Sequence, residues 1–420
     1  MIEKWKSYPG SIRLLAIAAV ISSTGMACIW PLVTIYIHDH LGKPLTVAGF
    51  LLLLNQGAFL VGSVLGGMMF DRWGKLRTMV IASIGIITVS AGLGMTQDFT
   101  MYTILLLLNG LFYGMLSPVI NALAVVLWPQ GGRKGINMIY VAQNAGVAAG
   151  AALGGLLASI SFAWTFFGNA ITQTAALLLF VCILPRYLKD SQSMPFAVAE
   201  EPQAAGTPTS IPAAPAMSRQ FVWTALLLLC AGLLISWIVY VQWTTVLSSY
   251  MQSLGISLRQ YSFLWTLNGG LILFGQPLIS WVIRRFAKTL ISQMLLGAYV
   301  FALSMLILTQ TTAYAGFFAA MFIMTLGEML MWPAVPTVAA QFTPAGQEGF
   351  IQGLVTGTGS AGRMLGPLLG AFLFQEYDAQ GLLYIMTGLA LVSVGFFALH
   401  HQFLKRGKKP LSPTPLAGKM

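Results

Sequence analysis

Residues 66–78 read GGMMFDRWGKLRT. Four charges, Asp71, Arg72, Lys75 and Arg77, fall within seven positions, laced with glycine. The chain on either side is apolar for twenty residues or more. A helix needs about 20 apolar residues to span a bilayer core. The charged stretch is therefore read as a short loop between two membrane-spanning helices. Gly74 permits a tight turn with positive φ. Arg72, Lys75 and Arg77 hold such a loop on the cytoplasmic face, and topology asks for no carboxylate, so Asp71 needs another explanation.

Composition agrees with a membrane setting. The 420 residues are 57% hydrophobic and 8% charged, against about 25% charged in a soluble protein. The mean hydropathy is +0.79. Cys28, Cys182 and Cys230 all sit in apolar runs and read as small core residues rather than disulfides or metal ligands. The net charge of +11 is assigned to basic loops on the cytoplasmic side, not to nucleic-acid binding. Lys4, Lys6 and Arg13 before an apolar run, then GMAC at 25–28, imitate a signal peptide. The run continues to about Tyr36, long enough to span, so it is read as the first helix.

The fold class expected is an all-α membrane protein. Apolar runs give twelve spans: 12–37, 46–70, 78–95, 100–127, 136–160, 162–184, 220–249, 260–283, 290–309, 314–340, 350–374 and 381–402. Helices are expected because a spanning segment must satisfy its own backbone hydrogen bonds. With the N-terminus inside, the inner segments carry nearly all the Lys and Arg, and the outer loops keep only Lys43 and Arg259. This asymmetry places both termini in the cytoplasm, with the chain in the cell membrane.

Residues 185–219 include EEPQAAGTPTSIPAAPAMSR, a composition that cannot build a core and reads as a flexible linker. It divides the chain into an N-terminal six-helix bundle (1–184) and a C-terminal one (220–404), followed by a basic tail (405–420). The halves repeat. Asn55, Gly57, Gly62, Arg72 and Lys75 recur as Asn268, Gly270, Gly275, Arg285 and Lys288, each 213 positions on. Gly146, Gly150 and Gly154 recur as Gly362, Gly366 and Gly370, at an offset of 216. Two pseudo-symmetric, parallel six-helix repeats are the plan of one large transporter class.

The loop at 67–77 resembles the signature of the major facilitator superfamily, Gly-xxx-Asp-Arg-x-Gly-Arg/Lys. Gly67, Asp71, Arg72, Gly74 and Lys75 all fall in register. The second copy, SWVIRRFAK at 280–288, is degenerate, with Arg284 for the Asp and Ala287 for the Gly. The resemblance implies that Asp71 latches an inner gate against the N-terminal end of the eleventh helix, whose dipole is positive there. The alternative is that the charges only set topology.

The fifth span reads GVAAGAALGG (146–155) and the eleventh GRMLGPLLGA (362–371). Glycines four apart share a helix face and admit close helix approach. This spacing resembles the Gly-xxx-Gly-Pro-xx-Gly-Gly signature of the drug/proton antiporters in that superfamily. The resemblance implies multidrug efflux. Ala151 replaces the proline in the fifth span, and Leu106 stands where such exporters often carry an arginine. Tight packing with no bearing on export is the competing reading.

Glu328 and Arg363 are the two ionisable residues deep in spans. Counted at about 1.5 Å per residue, both lie about 18–20 Å from the inner ends and are expected to meet near the midplane. A lone charge there costs at least about 2.5–3.5 kcal/mol. One reading is a structural ion pair. The other makes Glu328 the exchangeable proton site, with Arg363 tuning it or meeting an anionic group of the cargo. Pro333 and Pro336 should loosen the helix beyond Glu328.

Polar residues at membrane depth are cavity candidates: Asn55, Gln56, Asn109, Asn121, Gln143, Asn144, Asn169, Gln242 and Asn268. Trp30, Trp237, Tyr240, Trp243 and Trp265 are placed to stack a flat cargo or to anchor helix ends. His38, Asp39 and His40 read as a solvated mouth; a metal site there lacks further ligands.

The leading function is proton-coupled efflux of lipophilic or cationic small molecules by alternating access. The rival is a proton-coupled importer, or a lipid or metabolite carrier, of the same fold. An enzyme would need a catalytic cluster at one depth, and the spans hold a single deep acid. A transporter-like sensor would need a folded soluble domain, for which the linker is too short and too polar. No Walker-type GxxxxGK[ST] stretch occurs, so an ion gradient rather than ATP is expected to supply the energy. No cofactor and no metal are expected, and the monomer is expected to be the working unit.

Overall fold

The structure, a computed structural model, describes residues 5, 7–29, 32–33, 36–182, 185 and 219–407. Most of the linker, the end of the tail beyond residue 407, and Trp30 lie outside them. The described residues are helical, without a strand. The first six long helices are α1 (Gly10–Ile29), α2 (Leu45–Trp73), α3 (Lys75–Met95), α4 (Phe99–Leu127), α5 (Arg133–Ile160) and α6 (Phe162–Cys182). Then follow α7 (Arg219–Val241), α8 (Leu258–Phe274), α9 (Leu290–Thr309) and α10 (Tyr314–Gln341). A final helical stretch, Glu348–Gly407, breaks at Asp378 (φ 59) into α11 (348–377) and α12 (379–407). Among the described residues ten helices are long and apolar enough to cross a membrane, and a bent pair makes an eleventh. Splitting the last stretch at Asp378 brings the spans to twelve.

Local chemistry sets the ends. Gly74 sits at φ 98 between α2 and α3, the turn its position in the charged loop requires. Asp98 caps α4 by accepting from Met101 N at 2.7 Å. Ser257 and Gln260 form a capping box on α8, as do Thr289 and Ser292 on α9. Asp378 Oδ1 accepts from Gln380 N at 2.8 Å and Gly381 N at 3.0 Å, which restarts the chain as α12.

The first span is described over Gly10–Ile29, with a π-helical turn at Tyr36–His40. Two spans differ from expectation. The seventh stops at Val241 and continues through a 3-10 turn to a short helix, Val246–Ser253. Here the Thr244 and Thr245 hydroxyls both donate to Val241 O, at 2.8 and 3.1 Å. In an unbroken helix that carbonyl takes the N–H of residue 245. The eighth bends by 69° at Gly275 before Gln276–Phe286. Pro277 has no N–H to continue the ladder.

Glycine dictates the closest helix contacts. A Cβ on Gly146, Gly150 or Gly154 would strike the α1 backbone at Val20, Thr24 and Cys28. Gly362 and Gly366 meet α7 around Trp237 and Ile238, and Gly370 meets Gln242. A third contact was not read from the sequence: Gly62 and Gly66 of α2 lie on the Leu111 and Met115 carbonyls of α4. One apolar core runs from Ile12 to Phe180 and another from Val222 to Phe397.

Candidate functional site

Glu328 stands in the middle of α10 and is 5% exposed. Its carboxylate collects three donors from three other helices. Tyr140 OH of α5 donates to Oε1 at 2.9 Å, Tyr240 OH of α7 to Oε2 at 3.2 Å, and Asn268 Nδ2 of α8 to Oε2 at 2.8 Å. Asn268 is held from behind, since its amide also donates to Thr325 Oγ1 at 3.0 Å. Such donors replace the water that a buried carboxylate loses.

Arg363 does not pair with Glu328. Its Nη2 donates to Ser360 Oγ at 2.8 Å and its Nε to Gln56 Oε1 at 3.4 Å. Its guanidinium lies 4.6 Å over the Trp237 ring. Trp237 stacks on Trp332 at 4.4 Å with 6° between planes, and Tyr240 packs edge-on against both. The expected meeting of the two charges, and with it the ion-pair reading, is therefore corrected: the aromatic residues Trp237, Trp332 and Tyr240 pack between them. Depth along a helix is legible from a residue count, whereas the direction a side chain faces depends on packing, and here α11 turns Arg363 toward α2 and α7.

The basic end of the bundle, where Asp71, Arg72 and Lys75 lie, is closed by contacts between the helices of the first and second repeats. Asp71 Oδ1 accepts from Gly349 N and Oδ2 from Phe350 N, both at 2.8 Å. These amides begin α11, where helix N–H groups have no internal partner. Gly67 allows this approach, because a Cβ there would strike the Gly349 carbonyl. On the other side Arg133 Nη2 donates to Met329 O at 3.0 Å and Asn137 Nδ2 to Gln276 Oε1 at 3.1 Å.

The structure gathers Gln56, Trp237, Tyr240 and Asn268 around the two charges. Gln143 lies three residues from Tyr140 on α5, on the same side of that helix, and Asn144 Nδ2 donates to Tyr140 O at 2.9 Å. Asn55 instead ties α2 to α4 through Leu106 O at 2.7 Å. Asn109, expected in the cavity, is turned away from it: it donates to Ser90 Oγ at 3.3 Å, within a buried set that includes Asn169 and Tyr113. Gln242 donates to Gly366 O at 2.9 Å and serves the α7–α11 contact.

His38 Nδ1 shares a hydrogen bond with Lys43 O at 3.0 Å, and His40 stacks on Tyr36 at 5.2 Å. Among the described residues no group of three His, Cys, Asp or Glu is placed to hold a metal ion.

Sequence reading missed Tyr140, Trp332 and Arg133. Trp332 carried a signal, since it lies four residues after Glu328 on one helix face. Tyr140 lies four before Asn144 in the same way. Arg133 is one of the basic residues of the inner segments, which the sequence alone assigns to topology.

The comparisons with known proteins agree with this architecture. The Major Facilitator Superfamily model matches residues 15–363 and 250–418. The chain is 41% identical over 401 residues to the uncharacterized MFS-type transporter YttB of Bacillus subtilis (strain 168), covering 96% of this chain and 98% of that one. A more distant match, 27% over 158 residues and 38% of each chain, is to the multidrug resistance protein MdtH of Shigella dysenteriae serotype 1 (strain Sd197). The fold matches the crystal structure of the human organic anion transporter MFSD10 (TETRAN), with a TM-score of 0.72 at 16% identity over 93% of this chain and 100% of that one. It also matches a bacterial homologue of the iron transporter ferroportin in its outward-facing state, with a TM-score of 0.71 at 15% identity over 94% and 100%. On the family match along most of its length, the chain belongs to the Major Facilitator Superfamily of multi-pass membrane transporters.

Proposed function

We propose that the protein is a proton-coupled exporter of lipophilic small molecules, working in the cell membrane by alternating access. The observation that carries this reading is the bond from Tyr140 of α5 to Glu328 of α10 at 2.9 Å. It joins the two six-helix bodies (1–184 and 220–404) through the one carboxylate that is buried among the described residues. Rocking of the bodies about the linker breaks or remakes that bond, so the affinity of Glu328 for a proton follows conformation. A carboxylate buried at this depth is a functional candidate by default.

The basic end faces the cytoplasm in this reading, with both termini there. The Asp71 and Arg133 contacts then close the inner side, and the conformation is outward-facing. The two oxygens of Glu328 already hold three donors, which leaves little capacity for a cationic headgroup. The wall of Trp237, Trp332 and Tyr240 suits a flat apolar cargo. The glycine stripes of α5 and α11 and the partial likeness to MdtH favour export. The cluster is complete within one chain, which favours a functional monomer.

Reconstitution in proteoliposomes with an imposed pH gradient tests the reading. A panel of lipophilic fluorescent compounds should move faster with the gradient than without it. If no member of a broad panel responds to the gradient, the proposal fails.

A further inference from the structure

Arg363 is a charged side chain in the middle of the bundle with neutral partners. Among the described residues it hydrogen-bonds Ser360 and Gln56, and its Cζ lies over the Trp237 ring at 4.6 Å and the Phe59 ring at 5.8 Å. It remains partly exposed. A guanidinium carries five N–H donors in one plane. Two are used here, one of them in a long contact of 3.4 Å. The contact with Trp237 uses no N–H, so three donors are left for a ligand, and a guanidinium fork receives a carboxylate through two parallel bonds.

A cation at membrane depth without a counter-ion is costly, at least about 2.5–3.5 kcal/mol on insertion scales. Glu328 does not supply the counter-charge, because its oxygens are turned to Tyr140, Tyr240 and Asn268. The residue also continues into a surface fit for an aromatic ring: Trp237 stacks on Trp332, and Tyr240 meets both edge-on.

We propose that Arg363 is an anion-binding subsite of the cargo cavity, and that the cargo class is a flat aromatic acid whose carboxylate pairs with Arg363 while its ring lies on the Trp237–Trp332–Tyr240 wall. The inference rests on reading the central cluster as the cargo site. Trp237 holds the cation over its ring, Gln56 and Ser360 fix its rotation, and the remaining N–H donors meet the cargo. A neutral ring of the same size gains the wall but not the paired bonds. An ammonium-bearing ring meets repulsion.

Calorimetric titration of the purified full-length protein in lipid nanodiscs tests this with 1-naphthoate, 1-naphthylmethanol and 1-naphthylmethylamine. The wild type should bind naphthoate about tenfold or more tighter than the alcohol, and the amine weakest, tenfold being about 1.4 kcal/mol. Arg363→Gln should bring naphthoate and the alcohol within about twofold of each other, since the charge-assisted pair is gone. Arg363→Lys should keep part of the preference, having charge without the planar fork. Equal binding of acid and alcohol by the wild type, binding of none of the three, or an undiminished preference in Arg363→Gln overturns the proposal. Should Arg363→Gln fail to fold, the wild-type ranking alone decides. An intact naphthoate preference without gradient-driven transport would count against proton coupling and leave the anion subsite standing.

Discussion

Arg133 of α5 donates to the carbonyl of Met329 in α10 at 3.0 Å. Met329 lies four residues before Pro333, which has no N–H to offer that oxygen. The proline thus frees an acceptor, and an arginine from the other repeat takes it. Met329 is also the neighbour of Glu328, whose carboxylate binds Tyr140 on the same α5. The two bonds between α5 and α10 thus leave α5 seven residues apart, about two helical turns, and converge on adjacent residues of α10.

Arg133→Met should loosen the inner end. The lost bond is charge-assisted and worth about 1.5–3 kcal/mol. The ratio of inner-open to inner-closed molecules should rise by about tenfold or more. Spin labels at the exposed Lys134 and Arg285 would report it as a longer distance population in pulsed electron resonance. An unchanged distribution would show that Arg133 serves topology alone.

Asp71→Asn should act in the same direction from the other side. A carboxylate accepts from both Gly349 N and Phe350 N. The amide has one acceptor oxygen, and its NH2 faces a helix N-terminus that repels donors. Arg72, Lys75 and Arg77 remain, so insertion and orientation should be normal. Cysteines placed in the inner half of the cavity should react faster with a membrane-impermeant thiol reagent. Equal rates in mutant and wild type would rule out the latch.

Gly150→Ala should destabilise the first core. Its Cβ would collide with Thr24 O, and overpacking costs about 1–3 kcal/mol. That exceeds the roughly 1 kcal/mol that alanine gains over glycine in a helix. Gly155 has nothing within 4 Å of the same atom, so Gly155→Ala should be neutral or slightly stabilising. Thermal unfolding of the two purified variants checks the contrast. Equal midpoints would mean that the stripe is not a packing device.

Tyr140→Phe removes the bond to Glu328 that comes from the other repeat and leaves those from Tyr240 and Asn268. Its effect on stability should stay within about 1.5 kcal/mol. Coupling should suffer more, as slower gradient-driven transport with a larger proton leak. Normal coupling in this variant would remove the bridge between conformation and protonation.

Much of this was legible in the sequence for definite reasons. Asp71 and Glu328 stood out because a charge in an apolar run needs an explanation, and the glycine stripes because four-residue spacing fixes a helix face. The partners of these residues were less accessible. Residue counting put Glu328 and Arg363 at one depth, yet depth carries no azimuth, and the two face different helices. Asn109 belonged to the polar residues at membrane depth, but only the packed structure tells that it turns to Ser90. Tyr140 and Arg133 were hidden because their role depends on contact between the repeats. The breaks at Thr245 and Gly275 were hidden for a simpler reason: continuous hydropathy does not report a carbonyl diverted to a hydroxyl or an absent proline N–H.

The central claim is that Glu328 is a proton site coupled to conformation rather than a structural polar group. Glu328→Gln keeps the shape and removes the titration. The most direct test measures gradient-driven transport in proteoliposomes and thermal stability on the same purified variant. The account predicts that gradient-driven movement is abolished while binding of neutral cargo survives and stability falls by no more than about 1–3 kcal/mol, the cost of one disturbed buried hydrogen bond. Undiminished gradient-driven transport alongside a large loss of stability would contradict it and leave Glu328 as a structural residue.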